Sequence, residues 1–286
     1  MANVKLSSLF DLESLEHNLY RGNSWDLGFR ALYGGQVLGQ SVMAAYQTVP
    51  DDRVIHSFHS YFLLPGDAGK SVVYDVENVR DGRSFSARRI RAIQNGRTIF
   101  YMTASFQKPE ESKLTHQFAL MPEVPPPEEV SQDLIEYEKQ STKISERVRK
   151  ALEYHKPVDI RTIGENNWFD AQESDPVRKI WLKSRDPLPD SLAINQASLA
   201  YASDYHFLST SLLAHGLATY DKRLRMATID HAMWFHKPFK FDEWMMYQIE
   251  SSFSGNGRAI VQGKILDQNG QLVATAVQEG LVRIVE

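Results

Sequence analysis

Gln94-Asn95-Gly96 and Gln268-Asn269-Gly270 decide the fold, because each sits in the middle of two runs of strand character. Phe85 to Ile93 and Thr98 to Phe106 flank the first, and Arg258 to Leu266 and Gln271 to Val277 flank the second. Both residues of an Asn-Gly pair tolerate positive φ, so the pair closes a tight two-residue hairpin turn. The two glycines are 270 less 96, or 174, residues apart. A second echo lies at almost the same offset. Ser60-Tyr61-Phe62-Leu63-Leu64-Pro65 answers Met233-Trp234-Phe235-His236-Lys237-Pro238, with the prolines 238 less 65, or 173, apart. A chain that repeats itself at one offset reads as a duplicated unit.

Working outward, each half offers two more strand candidates: Val54 to Leu63 with Ser71 to Arg80, and Ala227 to His236 with Trp244 to Ser252. Ahead of the strands each half has one helical pattern. Leu38, Val42, Ala45 and Val49 share one face after Gly34-Gly35, and Ile194, Ala197, Tyr201, Asp204 and Leu208 share another. The second pattern is apolar most of the way round, which predicts a buried helix. A central helix wrapped by an antiparallel sheet, present twice, is an α+β double hotdog. The units are expected at 1–112 and 157–286. The connector between them, 113–156, holds Pro122, Pro125, Pro126 and Pro127, then a charged helical stretch from Leu134 to Glu153.

Composition narrows the chemistry. The 286 residues carry a net charge of -4, which argues against nucleic acid as a partner, since phosphate binding needs clustered cations. With no cysteine there is neither a disulfide nor a thiolate ligand or nucleophile, and the chain fits a cytoplasmic location. No stretch approaches the ~18 apolar residues that span a bilayer, so no stable membrane insertion is expected. Gly69-Lys70-Ser71 lacks the earlier glycine of a phosphate loop, and Gly82-Arg83-Ser84-Phe85-Ser86 fails as a nucleophile elbow. His56 with His59, and His231 with His236, stand at odd spacings that put them on opposite faces of a regular strand. No metal is expected.

Ala227-Thr228-Ile229-Asp230-His231-Ala232-Met233-Trp234-Phe235-His236 closely resembles a segment of acyl-CoA thioesterase II. So do Gly34-Gly35-Gln36-Val37, His56 to Phe62, Arg80 to Arg89, Phe100 to Phe106 and Thr275-Ala276-Val277-Gln278-Glu279-Gly280. The resemblance covers nearly the whole chain apart from the connector. It implies hydrolysis of fatty acyl-CoA to free acid and coenzyme A, with acyl-CoA as partner, no cofactor and a homo-oligomeric assembly. It also implies a catalytic trio: Asp204 as general base, with Thr228 and Gln278 holding the attacking water. Gly34, Gly35, Gln36 and His56 are candidates for the oxyanion site or the substrate lining. Arg80, Arg83, Arg88 and Arg89 are cations available to coenzyme A phosphates, although arginines on a strand more often face solvent. Two other readings use the same fold, a hydratase acting on an enoyl-CoA double bond and a non-catalytic acyl-CoA-binding protein. The first needs an Asp and His in a hydration loop before the strands, which Ala214 to Tyr220 does not supply. The second would lack the trio.

Overall fold

The structure is a computed structural model that describes residues 5–29, 31–139, 157–166 and 168–285. In the first half, strands β1 (Glu13–Glu16) and β2 (Leu19–Gly22) precede helix α1 (Gly34–Tyr46). Then follow β3 (Val54–Phe62), β4 (Val72–Asp81), β5 (Phe85–Gln94) and β6 (Arg97–Gln107). In the connector, the charged stretch forms α2 (Asp133–Lys139), and its remainder lies outside the described residues. The second half repeats the order with β7 (Val158–Ile163), β8 (Val177–Ser184), α3 (Leu192–Ala202), β9 (Leu224–Thr228), β10 (Asp230–Phe235), β11 (Met245–Gly255), β12 (Arg258–Asp267) and β13 (Leu272–Ile284). The fold is a double hotdog.

One sheet carries both units, in the order β1-β2-β4-β5-β6-β3-β10-β13-β12-β11-β8-β7, with β9 beside β13. Its middle is the antiparallel pair β3 and β10, where His59 faces Ala232. On either side of that pair the order is the same read outward, so the units are related by a pseudo-two-fold axis. Asn95 and Asn269 do turn hairpins, with Asn95 and Gly96 at φ 50° and 71° in the first. Two strands per unit escaped the sequence pattern. β1 is exposed along its whole length and so has no alternation to detect, while β2, β7 and β8 extend the sheet at its edges.

The helices lie side by side under the sheet. Leu38, Val42 and Ala45 of α1 and Ala197, Leu199 and Ala200 of α3 are fully buried. Each larger side chain removed from water there stabilises by roughly 1.5–3 kcal/mol. Close approach depends on two glycines. A Cβ at Gly35 would stand 2.1 Å from the Tyr201 carbonyl oxygen, and one at Gly39 would stand 2.8 Å from that of Ala197.

The second helix is shorter than its apolar stripe. It ends at Ala202, so Asp204 and Leu208 are not on it; a turn follows, then a 3₁₀ segment, Leu208–His215. Two contacts and one backbone conformation explain the stop. Tyr247 Oη donates to the Ser203 carbonyl (3.1 Å), capturing an acceptor that another helical turn would need. His206 takes the left-handed conformation at φ 57°. It is held there by Asp133 of α2, 2.8 Å from its Nε2. Tertiary contacts override local propensity at this point.

Candidate active site

The turn after α3 puts Asp204 against the start of α1. The Gly35 amide donates to Asp204 Oδ2 (3.1 Å), and a Cβ at Gly34 would come within 2.8 Å of the same oxygen. A helix N-terminus that meets a carboxylate stabilises its charge. The walls are apolar and phenolic. Tyr33 donates to the Tyr201 carbonyl (3.0 Å), and the rings of Tyr33, Tyr201 and Tyr205 pack on one another at 5.0–5.8 Å. Burial among these groups pushes the Asp204 pKa up to about 6, against the opposing pull of the Gly35 amide and the Gln278 side chain. Such a carboxyl is mostly ionised at neutral pH yet basic enough to accept a proton.

The other two members arrive from the sheet. Gln278 Nε2 donates to Thr228 Oγ1 (3.0 Å), and the same side chain is near enough to Asp204 to lower its pKa. The three side chains therefore form one group, assembled from the α3 turn, β9 and β13.

A strand irregularity makes this possible. Thr228 pairs with Gly280 and Ala232 pairs with Val277, so four steps along one strand oppose three along its neighbour. The extra residue is a β-bulge at Ile229 and Asp230, pinned where the Glu279 amide donates to Asp230 Oδ1 (2.8 Å). Across a bulge the usual alternation slips by one. Thr228 and His231, three residues apart, accordingly meet the same side chain: His231 Nδ1 lies 2.6 Å from Gln278 Oε1. His231 is fully buried, and the spacing rule that sets odd-numbered neighbours on opposite faces passed it over. Its ring is stacked on Phe58, and its Nε2 is 3.0 Å from Ser203 Oγ. Desolvation pushes its pKa down to about 4, so it is a neutral imidazole near pH 7.

The remaining candidates fall differently. Gly34 and Gly35 belong to the site, but the Gly35 amide is committed to Asp204 and is not a free oxyanion donor. Gln36 is buried, with its side-chain oxygen accepting from the Trp25 amide (3.0 Å). His56 is not joined to the trio. It occupies the corresponding bulge of the first unit, where its Nε2 meets Ser105 Oγ (2.8 Å) and its ring meets Phe85. Arg88 is 1% exposed and bonds to Thr48, Arg80, Ala87 and Asp81, so it is an interior strut rather than a solvated cation. Arg89 is paired with Glu77 at 3.0 Å. Among the described residues no three His, Asp or Glu side chains converge on a metal position, and no helix is long and apolar enough to cross a membrane.

The pseudo-symmetric place in the first unit is plugged. At the 173-residue offset, Thr228, His231 and Gln278 correspond to Ile55, Phe58 and Ser105. Beside them the Tyr46 hydroxyl accepts from the Ile55 amide (3.0 Å) and donates to Gln196 Oε1, while its ring packs edge-on against Phe106. Among the described residues no carboxylate is bonded to those three side chains, Ser105 meeting His56 instead.

Comparison with known proteins gives the family. Residues 22–107 match the family model "Acyl-CoA thioesterase N-terminal domain", and residues 147–281 match "Acyl-CoA thioesterase". The chain is 41% identical to acyl-CoA thioesterase 2 of Haemophilus influenzae over 98% of both chains. It is 36% identical to human acyl-coenzyme A thioesterase 8, covering 99% of this chain and 90% of that one. Among solved structures, an acyl-CoA thioesterase II from Mycobacterium marinum aligns with a TM-score of 0.79 at 36% identity, covering 98% of this chain and 99% of that one.

Proposed function

Because the chain belongs to the acyl-CoA thioesterase family, and so is a thioester hydrolase, we propose that it cleaves fatty acyl-CoA by direct attack of a water held by Asp204, Thr228 and Gln278. The observation that carries this reading is the convergence of three side chains: Gln278 donates to the Thr228 hydroxyl and lies close enough to Asp204 to lower its pKa. A carboxylate, a hydroxyl and an amide gathered on one spot suit a water better than they suit a covalent nucleophile. Water gives one proton to Asp204 as its oxygen bonds to the thioester carbon. The carbonyl oxygen takes the negative charge. Collapse of that tetrahedral adduct breaks the C–S bond, and the proton on Asp204 passes to the departing sulfur, leaving a free acid and the coenzyme A thiol. The thioester carbonyl is already electrophilic and thiolate leaves readily, so no metal or cofactor is required.

A cysteine-free sequence supports a cytoplasmic setting. Leu114, Phe118 and Leu120 of the connector are almost wholly exposed, which supports a homo-oligomer that covers them. Sedimentation of the full chain tests that state. The activity is tested by thiol release across acyl-CoA esters of graded length, run beside an enoyl-CoA hydration assay. Thiol release is expected. Hydration without thiol release, or an acyl group trapped on the protein after rapid quench, would overturn the mechanism.

A further inference from the structure

We propose that His231 is a positioning residue that fixes which end of the Gln278 amide faces Asp204. The proposal rests on the trio reading above and extends it to a fully buried side chain outside the trio.

A glutamine amide has a donor end and an acceptor end of nearly equal shape, and a half-turn about its last bond exchanges them. The exchange matters here. With the NH₂ inward, Gln278 donates to Thr228 and turns its positive end toward the nearby carboxylate, which lowers the Asp204 pKa. With the carbonyl inward, an oxygen would face a carboxylate oxygen and repel it. Thr228 does not decide between the two, because a hydroxyl donates or accepts with equal ease. The choice is made on the far side of the amide, where Gln278 Oε1 stands 2.6 Å from His231 Nδ1. A proton on Nδ1 holds the oxygen there and therefore holds the NH₂ toward Asp204.

Ser203 holds the far side of the ring. Its hydroxyl lies 3.0 Å from Nε2 and also donates to the Ala200 carbonyl (2.9 Å), so it anchors the imidazole to the end of α3, while the tautomer follows from the Gln278 oxygen that Nδ1 faces. Ser203 is the residue before Asp204 and caps α3. The contacts thus run from the end of α3 through the His231 ring to the Gln278 amide. The surroundings of that ring are aromatic. Phe58 of β3 is stacked on the His231 ring, and Phe207 packs against it at 5.5 Å. The titratable side chains around Asp204 itself are the phenols of Tyr33, Tyr201, Tyr205 and Tyr247. The facing position in the first unit, Phe58, has no polar atom, and Ser105 there has no amide to orient.

The test uses the full chain with CoA release from a medium-chain acyl-CoA as readout. His231→Leu should lower kcat by ~10²-fold, the scale of a small misplacement of a catalytic group, with KM nearly unchanged. Its acid limb should move to higher pH, because the Gln278 bond that favours ionised Asp204 is lost. His231→Asn places an amide N–H near the position of Nδ1 and should restore most of kcat and the wild-type limb. His231→Gln offers its donor near Nε2 and should not. If His231→Leu fails to fold, the Asn and Gln variants still decide. Equal kcat and equal acid limbs in those two overturn the proposal, as does a loss of kcat in all variants with no movement of the limb. Asp204→Asn is run alongside. If it retains turnover, the trio reading fails; if it is inactive while His231→Leu is normal, only the positioning role fails.

Discussion

Asp204→Asn separates catalysis from stability, and the structure gives both signs. The carboxyl is held at about 6 against an ordinary 3.8, a difference of 2.2 units, because ionised Asp204 is poorly solvated among Tyr33, Tyr201 and Tyr205. At 1.36 kcal/mol per unit this makes the ionised carboxyl cost the native state about 3 kcal/mol, an upper bound. The linkage is unlike that of a salt-bridged acid. Below pH 3.8 the group is neutral in both folded and unfolded chains and costs nothing. Between 3.8 and about 6 the unfolded chain releases its proton first, and native stability falls by that amount as pH rises. Asparagine never ionises. In urea unfolding, Asp204→Asn should match the wild type near pH 4 and exceed it by about 1–3 kcal/mol at pH 8, the lower figure allowing for the changed bond to Gln278. Thiol release by the same protein should fall ~10²- to 10⁴-fold in kcat, the usual loss for a general base. In the wild type, activity should drop on acidification through about 6, since only the ionised form accepts a proton. A folded Asp204→Asn protein with near-normal turnover, or one less stable than the wild type at pH 8, would refute the reasoning.

Thr228→Val and Gln278→Ala each remove one hold on the same water, and because the group acts as a unit, double variants with Asp204→Asn should be little slower than Asp204→Asn alone in the thiol assay. Gly34→Ala pushes a methyl to within 2.8 Å of Asp204 Oδ2, so kcat should fall by ~10-fold or more with little change in melting temperature. Gly35→Ala instead meets the Tyr201 backbone at 2.1 Å, and thermal unfolding should register a loss of several kcal/mol, on the order of ~4 or more. Asp133→Ala removes the acceptor of the buried Thr162 amide and hydroxyl as well as the contact to His206, which should cost roughly 1–3 kcal/mol per buried donor left unsatisfied in urea unfolding at pH 7. Despite its burial, bonds from His206 and Thr162 hold the Asp133 carboxyl below its ordinary range, so this stabilisation is present above the unfolded value of 3.8 and shrinks as pH falls through the lower folded value.

Local signals account for what could be read in advance. Asn95-Gly96 specifies a two-residue hairpin because both residues accept positive φ, whereas at Asn269-Gly270 only Gly270 adopts it and the turn is longer, running between Asp267 and Leu272. The duplication at 173–174 and the apolar helix before each set of strands follow from patterns a few residues wide, and with them the double hotdog. Asp204, Thr228 and Gln278 were singled out by family resemblance rather than by periodicity. Thr is an ordinary strand residue, and the stripe that appeared to carry Asp204 is broken at Ala202. Tertiary contacts decided the rest. The stop after α3 depends on Tyr247, 44 positions on from Ser203, and on Asp133 in the connector. His231 was invisible for a similar reason. A period of two assigns it to the face opposite Thr228, and only the bulge opposite β13 brings both onto Gln278. A bulge is a mismatch in length between two paired strands, and a single strand read alone contains no record of the partner against which it is counted.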